Sequence, residues 1–169
     1  MGRGHTYDVA VIGAGVFGAW SAYGLQRTGV SVILIDQYGA GNSRASSGGE
    51  TRIIRMGYGP DEIYSRSAQR SFTLWQDLFK HTLQSLFHGT GVLWLAREED
   101  SYSVSTLSTF ERTNVVFEKL TRAQLEQRYP QIDLGPITWA IFEPHSGVLM
   151  ARQGFARSCS KQSGMALPA

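Results

Sequence analysis

Two short runs of almost unbroken apolar residues, 7–12 and 30–35, flank a glycine-rich turn and a helical stretch. Such runs suit central strands of a parallel sheet covered on both faces. Between them, residues 19–27 read as a helix with Trp20, Tyr23 and Leu25 among its apolar positions, and Gly29 can end it. The pattern predicts a βαβ unit. A loop of small polar residues, 39–49, comes next; composition alone fits a flexible linker there. Residues 61–87 then carry a helical stripe of Ile63, Phe72, Leu74, Trp75, Leu78, Phe79, Leu83 and Leu86, which reads as core packing.

Beyond this helix the strands become shorter and more mixed. Residues 90–96, 115–120 and 137–142 read as strands of a second, mainly antiparallel sheet. Residues 101–113 read as a polar surface helix. Thr121 with Gln124 three positions on resembles a capping box, opening a short helix that stops before Pro130. Residues 143–147 read as a turn, 152–162 as a last helix ended by Gly164, and 165–169 as the first residues of a strand. The fold class expected is α/β, a Rossmann-like βαβ unit with a second antiparallel sheet region, and the fold is expected to be incomplete. Residues 5–85 would form the first segment of a dinucleotide-binding domain, 86–144 part of a substrate domain, and 145–169 a truncated return to the first.

Composition narrows the class. Apolar residues make up 42% and charged residues 18% of 169, ordinary for a soluble globular protein. The net charge of +2 is small and scattered, which argues against nucleic acid or a membrane surface as partner. Cys159 is the single cysteine, so no internal disulfide forms and a reducing, cytoplasmic location is expected. The apolar run 9–20 after Arg3 faintly resembles a secretory signal. Asp8 at its head and three glycines within it argue otherwise, and it is too short to span a bilayer. No metal is expected.

Gly13-Ala14-Gly15-Val16-Phe17-Gly18 fits G-x-G-x-x-G, a weak pattern by itself. Here it follows a predicted strand and opens a predicted helix, and a second strand ends in Asp36, 18 positions after Gly18. Gly13 permits the tight turn, Gly15 leaves room for a pyrophosphate, and Gly18 lets helix and strand pack closely. The helix amino terminus offers N–H groups and partial positive charge to phosphates. Asp36 can accept hydrogen bonds from ribose hydroxyls and disfavours a 2′-phosphate. These residues do not separate FAD from NAD.

In a simple NAD-binding domain a helix and third strand follow the acid closely. Here Ser43, Ser46, Ser47, Gly48 and Gly49 intervene, small enough for backbone to pass a flat ring, and then Thr51-Arg52-Ile53-Ile54-Arg55. If that segment is extended, Arg52 and Arg55 point to opposite faces. The plain structural alternative is two surface arginines flanking a buried isoleucine pair.

With these motifs in order, the sequence resembles the FAD-dependent amine oxidases typified by monomeric sarcosine oxidase, with N-methyltryptophan, pipecolate and fructosyl-amino-acid oxidases among them. The resemblance rests on the fingerprint with Asp36, on Gly49-Glu50-Thr51-Arg52-Ile53-Ile54-Arg55 followed by Tyr58-Gly59, on Thr90-Gly91-Val92-Leu93, and on Ile141-Phe142-Glu143-Pro144-His145-Ser146-Gly147-Val148-Leu149. It implies FAD as cofactor, its ADP half held by Gly13, Ala14, Gly15, Val16, Phe17, Gly18, Asp36 and Gln37. It implies that Ser46 and Thr51 lie near the cofactor and that Arg52 lies against the flavin ring. Arg55 would hold a substrate carboxylate, for which a guanidinium fork is suited, and Tyr58 would line the substrate pocket.

The sequence departs from the family in two respects. Gly48 stands where sarcosine oxidase has a histidine, and the family's chain is more than twice this length. The cysteine that bonds the flavin and a lysine that shares the carboxylate lie in the missing carboxyl-terminal half. Cys159 precedes that position and reads as an ordinary thiol; His145 reads as structural. The activity expected is oxidation of a small amine or N-alkyl amino acid to an imine, with oxygen as electron acceptor. The alternatives are an inactive amino-terminal fragment with at most dinucleotide binding, and an NAD-dependent dehydrogenase, against which the arginine pair and the small-residue loop speak.

Overall fold

The computed structural model describes residues 5–46, 48–80 and 86–154. The chain forms two compact units, one from residues 1–52 and 150–169, the other from 53–149.

In the first unit, β1 (Val9–Ile12), α1 (Val16–Arg27) and β2 (Val32–Ile35) make the expected βαβ arrangement. The strands pair in parallel with Val11 opposite Leu34 and Ile12 opposite Ile35. Ala14, Ala19 and Ala22 pack on Val32 and Leu34, joined by Val9, Val11 and Leu25. Alanines on the buried face of α1 let the helix axis approach the strands closely, as a βαβ crossover needs. Gly29 ends the helix at φ +86°, a conformation that favours glycine.

One expectation is corrected here. Only one face of the strand pair is covered among the described residues; Ala10 is exposed and Ile12 is 77% exposed. Alternate side chains point to opposite faces, and α1 reaches one of them. Helix resumes at residues 151–154, where the Arg152 N–H donates to the Glu50 carbonyl at 3.4 Å and the two side chains form an ion pair. The remainder of the helix expected at 152–162, Cys159, and the strand expected at 165–169 lie outside the described residues.

The second unit contains two three-stranded sheets. The first has the order β3 (Arg52–Ile54), β8 (Gly147–Leu149), β4 (Phe87–His88), with β4 and β8 antiparallel. The second places β7 (Trp139–Glu143) between β5 (Val92–Ala96) and β6 (Glu118–Thr121), antiparallel to both, as the mixed strands led us to expect. β6 starts three residues later than expected. The Val115 N–H is still occupied with α3 (Ser101–Thr113), donating to the Phe110 carbonyl at 3.0 Å, while Asn114 turns left-handed at φ 55°.

α2 (Glu62–Phe79) is shorter than the pattern implied, because Phe87 belongs to β4 and packs its ring on Phe72 at 4.8 Å. Its stripe is core at Trp75 and Leu78, whereas Ile63 is exposed. By its contacts α2 belongs to the second unit, where it packs on α3. Leu83 lies outside the described residues.

α3 has the expected bounds but is not a surface helix. Ser103, Thr106, Thr109, Phe110 and Thr113 are buried. α4 (Arg122–Arg128) opens with the predicted capping box: the Thr121 N–H donates to Gln124 Oε1 at 2.8 Å and the Gln124 N–H to Thr121 Oγ1 at 3.4 Å.

Candidate functional site

The first unit builds a cradle at the carboxyl ends of β1 and β2. Gly13 takes φ +98°, and its N–H donates to the Ile35 carbonyl at 2.7 Å, so the turn starts on the sheet's own hydrogen-bond ladder. Gly15 caps α1 with no side-chain bond to the first turn, so no side chain of its own occupies that helix end. A Cβ on Gly18 would sit 1.7 Å from the Gly13 carbonyl oxygen; only glycine allows this approach of helix to turn. Ile12, Gly13, Ile35, Asp36, Gln37 and Tyr38 line an open hollow of about 530 Å³.

Asp36 stands at the edge of that hollow and organises it. Its Oδ2 accepts from the Ala14 N–H at 2.7 Å; its Oδ1 accepts from the Tyr38 N–H at 2.8 Å and from Asn42 Nδ2 at 3.3 Å. Asn42 in turn accepts from the Arg44 and Ala45 N–H groups at 3.0 and 3.1 Å. The loop that composition alone reads as a linker therefore begins as an ordered set of turns. Val16 is half-buried and Phe17 exposed at the start of α1. Gln37 is exposed beside Asp36.

Arg52 is exposed and folds back on the same loop. Its guanidinium donates to the Thr51 carbonyl at 2.7 Å and the Ser46 carbonyl at 3.1 Å, and covers Gly49 so closely that a Cβ there would lie 2.4 Å from Nη1. Ser46 and Thr51 thus come together through backbone carbonyls and not through their hydroxyls.

In the second unit Arg55 follows β3. Its guanidinium lies 4.6 Å from the ring centroid of Tyr58 and 4.6 Å from that of Trp94, and donates to the Gly57 carbonyl. No acid forms an ion pair with it among the described residues. A hollow of about 340 Å³ opens beside it, lined by Arg55, Tyr58, Tyr64, Trp75, Ile53 and Leu149, among others. The alternative of two arginines around a buried isoleucine pair is corrected in part: Ile54 is buried and Ile53 faces out.

The loop carrying Arg55 is held from two sides. On one, Glu143 accepts from the N–H groups of Met56 at 2.7 Å and Gly57 at 3.2 Å. On the other, the hydroxyl of Thr106 accepts from the Gly59 N–H at 3.1 Å and that of Thr109 donates to the Gly59 carbonyl at 2.8 Å. This is the reason α3 buries hydroxyls: they satisfy loop backbone that water cannot reach. Glu143, Thr106 and Thr109 escape a local reading of the sequence. His145 is exposed in the turn after β7.

With this geometry established, residues 8–165 match the DAO family, described as FAD dependent oxidoreductase, and the chain belongs to that family. It is 35% identical over 146 residues to monomeric sarcosine oxidase from Bacillus sp. (strain B-0618), covering 86% of this chain and 37% of that protein. It is 31% identical over 143 residues to N-methyl-L-tryptophan oxidase from Yersinia pestis (strain Pestoides F), covering 85% and 38%. Its fold is similar to that of L-proline dehydrogenase from P. horikoshii, with a TM-score of 0.80, 23% identity, and coverage of 96% of this chain and 44% of that one. Glycine oxidase from Bacillus cereus ATCC 14579 has a TM-score of 0.69 at 21% identity, covering 96% and 46%. The chain spans less than two-fifths of the length of these two sequence relatives.

FAD is the cofactor of this family, and the first unit fits its ADP half. The positive φ at Gly13, the forced contact at Gly18, and the carboxylate of Asp36 beside an open hollow are what a pyrophosphate and ribose require. Among the described residues no helix is long and apolar enough to cross a membrane.

Proposed function

We propose that this chain supplies the ADP-binding and carboxylate-binding parts of an FAD-dependent oxidase acting on small amines or N-alkyl amino acids. The observation that carries the reading is Arg55: a part-buried cation within 4.6 Å of the Tyr58 and Trp94 ring centroids, without an acidic partner among the described residues and lining a hollow. Such a guanidinium is a ready anchor for a substrate carboxylate. Tyr58 and Tyr64 give the hollow aromatic walls for the rest of the substrate.

The remaining roles follow the same reading. Gly13, Ala14, Gly15, Val16, Phe17 and Gly18 take the pyrophosphate at the start of α1, and Asp36 with Gln37 takes the adenosine ribose. Ser46, Thr51 and Arg52 belong to the cofactor side, Arg52 bringing positive charge to it. FAD, when bound, would accept one hydride equivalent, two electrons and a proton, from the carbon next to the amine nitrogen, which gives up a proton to solvent as the carbon–nitrogen double bond forms. The chain's own residues orient and bind; the imine product is hydrolysed by water. Oxygen is the proposed electron acceptor, and a longer chain supplies the groups that complete the site. A cytoplasmic location fits the single cysteine.

The test is direct. Together with the longer chain that completes the site, the protein should keep a flavin spectrum after desalting and release peroxide with N-methylglycine or another N-alkyl amino acid, whereas residues 1–169 alone should show no turnover. A flavin spectrum without turnover would leave dinucleotide binding alone standing. A longer protein with no flavin spectrum and no turnover would overturn the proposal.

A further inference from the structure

We propose that Glu143 is a positioning residue for anion recognition, setting the plane and the place of the Arg55 guanidinium through Trp94 and Gly57. The inference rests on the reading of Arg55 as a carboxylate anchor.

Glu143 ends β7 and is 1% exposed. Four donors meet its two oxygens. Oε2 accepts from the Met56 N–H at 2.7 Å and the Ser146 hydroxyl at 2.5 Å; Oε1 accepts from the Gly57 N–H at 3.2 Å and Trp94 Nε1 at 2.6 Å. Three of the partners can only donate and the Ser146 hydroxyl can, the set that an acceptor-only carboxylate satisfies. No lysine or arginine pairs with it among the described residues. A buried carboxylate costs several kcal/mol of lost hydration, so one held by hydrogen bonds alone is a demanding way to fasten a loop.

Two of the four donors bear directly on Arg55. Gly57 gives its N–H to Glu143 and its carbonyl receives the Arg55 guanidinium. Trp94 gives its indole N–H to Glu143 and holds its ring centroid 4.6 Å from that guanidinium. An indole whose N–H points at a carboxylate carries more electron density on its faces, which strengthens its hold on a cation. Packing supports the same arrangement: a Cβ on Gly57 would fall 2.8 Å from Trp94 Cζ2. Rotating the carboxylate would move carbonyl and ring together.

Glu143→Gln keeps the shape and breaks the donor pattern, since the amide nitrogen must face at least one fixed donor whichever way it is turned: the Met56 N–H on one side, the Gly57 N–H and Trp94 Nε1 on the other. The experiment measures binding of benzoate and its neutral analogue benzamide to the purified protein by calorimetry. It also follows hydrogen exchange at the Met56 and Gly57 amides. Expected are about tenfold weaker benzoate binding, unchanged benzamide binding, and faster exchange at both amides. Trp94→Phe, which keeps a ring and loses the N–H, should weaken benzoate in the same direction by a smaller factor, and it decides the matter if Glu143→Gln does not fold. Wild-type benzoate affinity in either folded variant, with or without faster exchange, would overturn the inference. Arg55→Ala run alongside separates the two readings. If it too keeps the preference for benzoate over benzamide, the carboxylate anchor falls; if it alone loses that preference, only the role of Glu143 falls.

Discussion

The carboxylate of Asp36 accepts a hydrogen bond from the backbone N–H of Ala14 at 2.7 Å, across 22 positions of chain. The acid at the end of β2 therefore shapes the glycine turn before any ribose arrives. Asp36→Ala should cost about 1.5–3 kcal/mol of stability, the range for a hydrogen bond to a charged group, and should also remove retained flavin. Chemical unfolding and the absorbance of a desalted sample check both. Wild-type stability would show that the turn forms without the tether.

Gly15 and Gly18 should fail in different ways. Gly15 has φ −73°, which any residue adopts, so its glycine provides room and not conformation. Gly15→Val should abolish flavin retention with the fold kept. Gly18→Ala forces a contact with the Gly13 carbonyl and should destabilise the unit itself. Circular dichroism and flavin absorbance on both variants distinguish the outcomes; full flavin retention in Gly15→Val would refute the phosphate role.

Arg55→Ala should raise KM for an N-alkyl amino acid roughly ten- to a hundredfold, as expected for losing a charge-assisted pair worth about 1.5–3 kcal/mol. The decarboxylated amine, dimethylamine for N-methylglycine, should be affected much less. Equal effects on the two substrates would make Arg55 structural.

Thr109→Val is isosteric, yet it removes the donor to the Gly59 carbonyl and the acceptor for Arg112 Nη2 at 3.1 Å. An unsatisfied buried carbonyl costs about 1–3 kcal/mol, read as a lower midpoint in urea. An unchanged midpoint would mean that the loop relaxes onto water.

Glu62 bridges Arg112 of α3 and Arg66 of its own helix, and their hydrogen bonds hold its carboxyl below the usual carboxylate range. A folded-state value below the unfolded one adds stability above the ordinary carboxylate range, and that stability is lost as the pH falls through the lowered value. The stability difference between wild type and Glu62→Gln should therefore be present at neutral pH and shrink below about pH 4. A difference that persists in acid would point to another cause.

Local features were legible in the sequence. The βαβ unit, the fingerprint and the Thr121–Gln124 capping box depend on residues a few positions apart, so their patterns survive a linear reading. Glu143 was hidden because its backbone donors Met56 and Gly57 lie 87 and 86 positions away. One signal was present: an acid closing the apolar run of β7 has no reason to be there unless donors surround it. α3 departs from the expected surface helix for a related reason. Its polar residues suggest exposure, although Ser103, Thr106, Thr109 and Thr113 recur at helical spacing along one face and are buried. The open face of β1 could not be read at all, because coverage depends on what packs there and not on the strand.

The division of the chain also has a consequence for its synthesis. The second unit is one unbroken stretch, 53–149, whereas the first also draws on residues from 150 onward. On the ribosome, β1, α1 and β2 emerge first but wait for their return segment until the whole second unit has been made. At about 5–20 residues per second, that interval lasts several seconds. The later-starting unit is then the earlier to be fully synthesised. Arrested nascent chains should gain protease protection over 53–149 before they gain it over 5–52; the reverse order would contradict this sequence of events.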